Sequence, residues 1–166
     1  MTTKPKKLNS MRLLEQHNIP YEALQYPNTI RDAVEVAEVL GVPAHLLYKT
    51  LVIQSAKAGE KPILAMLASE RHLDLKKLAV AAGEKKVQLA AHKDAEALTG
   101  LQVGGISPLA LTHKGWRVFL DAPASELAHL MMSAGEKGTQ IRVPTADFIR
   151  LVGARLAEIG TDSGEA

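Results

Sequence analysis

The chain has 166 residues, 46% of them hydrophobic, a formal net charge of +2 and no cysteine. That length suffices for one domain with its own core, and the missing thiols exclude disulfides, zinc–thiolate sites and a sulfur nucleophile supplied by the protein. So small a net charge does not announce nucleic-acid binding, and no apolar run reaches membrane-spanning length.

The basic start from Met1 to Lys7 leads into a mixed segment, Leu8 to Asn18, with no apolar stretch behind it. No signal peptide is read there, and a cytoplasmic location is the expectation. Leu8 to His17 predicts a first helix, with Asn9 or Ser10 as cap and Met11, Leu13 and Leu14 on its apolar side; Asn18 and Pro20 end it. Tyr21 to Tyr26 reads as a short strand stopped by Pro27 and Asn28. Thr29 to Asp32 has capping-box spacing and introduces a helix that runs to Leu40 and closes at Gly41.

After Pro43, Leu47 to Ser55 predicts a strand central in its sheet, because both of its faces are largely apolar. Alternation sets Lys49 on the face of Leu47, Leu51 and Ile53. Lys57 to Glu60 is a polar turn, and Pro62 to Ala68 supplies a second strand, antiparallel because so short a connection allows nothing else. Asp74 caps a helix from Leu75 to Ala82, Val87 to Ala90 is a brief strand, and Asp94 to Leu98 is a short helix closed by Gly100. Further strands are expected at Arg117 to Asp121, Leu130 to Ser133 and Thr139 to Val143, the last two joined by a hairpin-like loop from Ala134 to Gly138. Ser125 to His129 reads as a helical turn, Thr145 as the cap of Ala146 to Leu151, and Ala154 to Ile159 as a last helical stretch. The expectation is a single α+β domain over residues 1–160, with a small, polar and flexible tail at 161–166.

Two features carry chemistry. The loop Leu101-Gln102-Val103-Gly104-Gly105-Ile106-Ser107-Pro108-Leu109 can offer main-chain amides to a ligand, and Lys49 is a cation inside a mostly apolar strand. Each has a plain structural reading as well: the loop as a tight connection, the lysine as an edge residue reaching water. The other chemistries are poorly provided for. The six histidines are scattered without helical metal-ligand spacing, Ser107 lacks the second glycine of a nucleophile elbow, and neither a Walker loop nor a dinucleotide fingerprint is present. Aromatic residues are only 4% of the chain, too few for an RNA-stacking strand. What is left is a site of backbone amides and one lysine, able to bind a carbonyl, carboxylate or phosphate and to stabilise an oxyanion. Lys76, Lys77, Lys85 and Lys86 gather in one section, either as a solvated face or as contacts to phosphates.

In this order and spacing, Tyr48-Lys49-Thr50-Leu51-Val52, Leu73-Asp74-Leu75-Lys76-Lys77, Thr99-Gly100, Val103 to Leu109, Asp121-Ala122-Pro123 and Ser133 to Gly138 resemble the YbaK/EbsC-type aminoacyl-tRNA deacylases. That family is related to the editing insertion domain of bacterial prolyl-tRNA synthetase. The resemblance implies a mixed, mostly antiparallel sheet, partly closed and barrel-like, with peripheral helices. It also implies hydrolysis of mischarged tRNA, with cysteinyl-tRNA for proline as substrate. Lys49 would engage the aminoacyl-adenosine end, and Gly104, Gly105, Ile106, Ser107 and Pro108 would contact the substrate near the scissile ester. Tyr26, Thr50, Ser133 and Gly135 would complete the pocket. The substrate thiol attacks its own ester in the cysteine-specific members, which suits a protein without a nucleophile. Aminoacylated tRNA is the implied partner, prolyl-tRNA synthetase a further candidate; no cofactor, metal, membrane or DNA is expected. An alanyl- or seryl-tRNA deacylase and a non-catalytic module binding aminoacyl-tRNA or a synthetase are the alternatives. Two departures bear on which amino acid is read: Gln140 stands where the family often has an acid, and no aromatic residue follows the first strand at residues 28–31.

Overall fold

A computed structural model describes residues 7–30 and 32–162; Arg31 of the expected capping box, the first six residues and the end of the expected tail lie outside them. The described residues form ten short strands and five α-helices, interspersed along the chain. The central sheet has the order β5 (Val87–Leu89), β2 (Tyr48–Ser55), β3 (Ile63–Ala68), β6 (Arg117–Asp121), β9 (Arg155–Ala157). β2 pairs antiparallel with β3 from Tyr48↔Ala68 to Ile53↔Ile63, as the short connection requires, whereas β3–β6 and β6–β9 are parallel. A second sheet, β1 (Glu22–Gln25), β8 (Thr139–Pro144), β7 (His129–Ser133), is wholly antiparallel, and β10 (Gly160–Thr161) pairs with β4 (His72–Leu73). The fold is therefore α+β with mostly antiparallel pairing. The expected partial closure is not confirmed: among the described strands no sheet is closed on itself, and an isolated parallel bridge, Leu47↔Met131, links the start of β2 to β7.

The largest core lies between the two main sheets, where Val52, Leu64, Met66 and Leu120 meet Leu130, Met132, Ile141 and Val143 under α1 (Asn9–Gln16) and α5 (Thr145–Val152). A second core seats α3 (Leu75–Ala82) on the opposite face of the central sheet through Leu78 and Ala79 against Ile53, Ile63 and Phe119. A third joins α2 (Ala33–Leu40) to Tyr26, Leu47 and Met131. α4 (His92–Thr99) precedes the glycine loop.

Several local expectations are corrected. Asp74 does cap α3, accepting from the N–H groups of Lys76 and Lys77. By contrast, Asn9 and Ser10 lie inside α1, where the buried Ser10 hydroxyl donates to the Ala134 carbonyl. Asp32, not Thr29, stands at the cap position of α2, and Pro144 at that of α5, whose first residue is Thr145. The 3₁₀ turn after β6 covers Ala122–Glu126, so His129 already opens β7. Residues 154–159 contain β9, not a helix, and Thr161 of the expected tail pairs with His72.

One buried ion pair fastens the chain's end. Asp121, 1% exposed, accepts from Arg71 Nε at 2.9 Å with one oxygen and from the N–H groups of Ile159 and Gly160 with the other. Arg71 also reaches Asp162.

Candidate active site

The candidate site forms where β2 loses one neighbour. β5 pairs only with Ile53, Gln54 and Ser55, so the half of β2 from Tyr48 to Leu51 keeps β3 on one edge and, among the described residues, has on the other only the isolated bridge Leu47↔Met131 at its start. Peptide groups alternate between the two edges of a strand. The Val52 carbonyl accepts from Ala90 on the β5 side, so the peptide groups of Thr50 face the open edge as well. A cavity of about 180 Å³ occupies that gap. Tyr48, Lys49, Thr50 and Leu51 form one wall and Val103, Gly104 and Ile106 another. Ser133 and Gln140, directly paired across β7 and β8, form the third, and Tyr26, Ala33 and Val36 close the space.

Lys49 is half-buried, and its Nζ donates to the Ser69 carbonyl at 3.3 Å. Burial pushes its pKa below the ordinary 10.5, while the Asp32 carboxylate acts through space in the opposite sense. Burial disfavours the cation, so this cost to folding is present in full below the lowered pKa and vanishes above about 10.5, where the unfolded lysine is neutral too. Stability from this group therefore rises with pH between those limits. An NMR titration of the Lys49 side chain is expected to show a midpoint below 10.5; a midpoint at or above 10.5 would contradict the burial. The phenol of Tyr48, almost wholly buried, is pushed up to about 12, chiefly by desolvation and next by the Asp121 charge, and so stays neutral.

The glycine loop is not a row of bare amides. Gly104 has φ +94°, a conformation that disfavours side chains. Gly105 gives its N–H to the Gln102 carbonyl at 2.8 Å, closing the turn. A Cβ on Gly105 would stand 2.8 Å from the Lys137 main-chain nitrogen and 3.0 Å from the Glu136 carbonyl carbon, so the loop lies flush against the turn after β7. Ser107 is fully buried and takes the N–H groups of Leu109 and Ala110, and Pro108 lines a different cleft. Of the expected bend, Gly104 and Ile106 border the cavity. Gly105→Ala is expected to destabilise the protein by about 1–3 kcal/mol, because the clash is with backbone that cannot rotate away. Urea denaturation measures this, and an unchanged midpoint would contradict the packing.

Of the other expected site residues, Tyr26, Thr50 and Ser133 border the cavity and Gly135 does not; its N–H donates to the Ser133 hydroxyl. Lys76 and Lys77 are exposed on α3, with Lys77 Nζ bonded to the Gly160 carbonyl, and Lys85 and Lys86 line a separate cleft with Lys57. None of the four reaches the cavity. Gln140 is the residue that sequence reasoning left out of the site. It was noted only as a missing acid, although counting across the hairpin from Ser133 leads to it.

Among the described residues no histidine, aspartate or glutamate borders the cavity, so neither the Thr50 nor the Ser133 hydroxyl has an imidazole or carboxylate to activate it as a nucleophile; the basic side chain that does border the cavity is Lys49. All six histidines are exposed. Among the described residues no group of three or more acids and histidines is placed to hold a metal, and no helix is long and apolar enough to cross a membrane.

Fold and cavity together define an α+β domain with a small cavity at one edge of a strand, lined by Lys49 and the glycine loop and, among the described residues, by no histidine or carboxylate. The model of the aminoacyl-tRNA editing domain matches residues 27–151, and the chain belongs to that family. It is 38% identical, over 93% of its length and 94% of the other's, to EbsC of Enterococcus faecalis, which is named a candidate Cys-tRNA(Pro)/Cys-tRNA(Cys) deacylase. A proline–tRNA ligase of Nitratidesulfovibrio vulgaris is 35% identical over 65% of this chain, but the match spans only 18% of the ligase. Among solved structures, the hypothetical protein APE2540 superposes with a TM-score of 0.83 at 19% identity, covering 93% of this chain and all of the other. A protein described as a candidate trans-editing enzyme for prolyl-tRNA synthetase superposes with 0.77 at 21%, covering 95% and 99%. At these identities the superpositions speak for the fold.

Proposed function

We propose that the protein is an aminoacyl-tRNA deacylase acting in trans, with Cys-tRNA(Pro) as its substrate. The observation that carries the proposal is the single cavity in which Lys49, Thr50, Gly104, Ile106 and Ser133 meet, in an editing-domain chain that matches EbsC over nearly the whole of both proteins. Its volume, about 180 Å³, is below the roughly 300–1,000 Å³ of sites for drug-sized ligands, so it suits an aminoacyl group with the adenosine outside.

In this reading Lys49 and the main-chain donors beside Gly104 and Ile106 hold the ester and stabilise the charge that develops on its carbonyl oxygen. The absence of an imidazole or carboxylate beside either hydroxyl, among the described residues, supports attack by the substrate itself or by water. For a cysteinyl ester, the thiol sulfur bonds to the carbonyl carbon as the ester C–O bond breaks, and the thiol proton goes to the departing ribose oxygen. Water attack gives the free amino acid directly. The exposed Lys76, Lys77, Lys85 and Lys86 are proposed to meet tRNA phosphates, and prolyl-tRNA synthetase is a candidate partner. A pocket alone separates amino acids differing by one methylene by only about 1–3 kcal/mol, so preference for cysteine rests on its thiol more than on its size.

The test is multiple-turnover deacylation of a panel of charged tRNAs. Many esters cleaved per protein, with cysteinyl-tRNA fastest, is the expected result. Protection of one ester per protein would replace the enzyme with a binding module. Seryl- or alanyl-tRNA cleaved as fast as cysteinyl-tRNA would make water the nucleophile.

A further inference from the structure

Two residues that line the cavity each carry a buried side-chain oxygen with no hydrogen-bond partner among the described residues: Thr50 Oγ1 and Gln140 Oε1. Gln140 as a whole is 4% exposed. Buried polar atoms are almost always satisfied, and an unmade bond to one is costly, so a pair of them on one cavity marks where a ligand completes the structure. The polar groups around the space divide by character. Lys49 Nζ, which donates to Ser69, and the N–H groups of Gly104 and Ile106, which have no partner among the described residues, can only donate. Thr50 Oγ1 and Gln140 Oε1 can accept, as can the Thr50 carbonyl on the open edge, although the threonine hydroxyl and the glutamine amide also carry donors; the Ser133 hydroxyl already accepts from Gly135. An aminoacyl end divides the same way: its ester oxygens accept, and its α-ammonium carries three donors.

We propose that Thr50 and Gln140 bind the α-ammonium group of the aminoacyl end, so that the cavity selects esters whose amino group is free. The inference rests on the deacylase reading above and names the part of the substrate it grips. With no carboxylate bordering the cavity, recognition of the ammonium is by neutral oxygens. Asp32, exposed at the start of α2 and acting on Lys49 through space, is a rival for the same charge.

The test compares cysteinyl-tRNA with N-acetylcysteinyl-tRNA, using the full chain. The free amine is expected to be preferred at least tenfold in kcat/KM. Gln140→Leu and Thr50→Val are each expected to lower kcat/KM for the free amine about tenfold, mainly through KM, and to narrow the preference. Gln140→Glu should keep it, and Asp32→Asn should leave the ratio as it was. Calorimetric binding of the amide-linked, non-hydrolysable 3′-cysteinylamino-adenosine and its N-acetyl form reads the same contact without turnover. Should the chain cleave no ester yet bind the free amine selectively, the deacylase reading fails and the ammonium contact stands. Equal handling of the free and acetylated forms by the unaltered protein, in rate or in binding, overturns the inference. So does a ratio that Asp32→Asn abolishes and Gln140→Leu does not touch. Unfolding midpoints of the variants separate a lost contact from a lost fold.

Discussion

Lys49→Ala is expected to lower kcat/KM for aminoacyl-tRNA deacylation by about a hundredfold or more, the usual loss when one donor to a developing oxyanion is removed. The lysine's position makes this a test of function more than of folding. Its Nζ has one long bond, 3.3 Å to the Ser69 carbonyl, and burial opposes its charge, so removing it relieves a cost to the fold even as it removes a contact to the ester. Lys49→Ala also gives up the packing of the half-buried stem, so its unfolding midpoint is read beside that of Lys49→Met. Lys49→Met keeps much of the packing without the charge and is expected to be equally inactive. Single-turnover rates on cysteinyl-tRNA, beside urea denaturation, check both halves. Activity within threefold of the parent's would remove Lys49 from the reaction.

Asp121→Ala is expected to destabilise the protein by about 3–5 kcal/mol, the range found when one partner is deleted from a buried ion pair. Three bonds are lost together: those from Arg71 and from the N–H groups of Ile159 and Gly160. The Arg71 side chain remains 23% exposed, so water partly compensates it and the lower end of the range is favoured. A Cβ at Gly160 would stand 2.6 Å from the Asp121 carboxylate, a measure of how closely the strand end is drawn over that group. Asp121→Asn keeps an acceptor for the amides and should cost less than Asp121→Ala. Urea unfolding with an unchanged slope measures both, and a loss under about 1 kcal/mol for the alanine variant would contradict the lock.

How far the sequence discloses this depends on the range over which each feature is decided. The β2–β3 pair follows from two apolar runs and a short polar turn, and the Asp74 cap from a bond to the next residues; both are local and both are found. Residues 154–159 mislead because Ala, Arg, Leu and Glu favour helix. What decides there is the parallel edge of β6, which draws Arg155–Ala157 into the sheet against local propensity. The capping expectations fail in the same manner: Ser10 is claimed by the distant Ala134 carbonyl and not by its own helix. In the site, Lys49 and Gly104 are legible because a charge in a strand and a paired glycine are unusual on their face. Gly105 is misread as a free amide because its use is a bond within its own turn and a fit against residues 136–137. The Asp121 lock joins Arg71, Ile159 and Gly160 from far along the chain, and the open edge of β2 exists only because β5 is too short to cover it. Neither has a local signature.

The central claim is that the gap beside β2 holds the aminoacyl end of a charged tRNA. Titrating isotope-labelled protein with the non-hydrolysable 3′-cysteinylamino-adenosine, and following backbone and side-chain NMR signals, tests it most directly. Saturable shifts concentrated at Thr50, Gly104, Ile106, Ser133 and Gln140, together with the Lys49 side chain, are the predicted result. Shifts confined to the cleft of Lys57, Lys85 and Lys86, with those six residues unmoved, would contradict it.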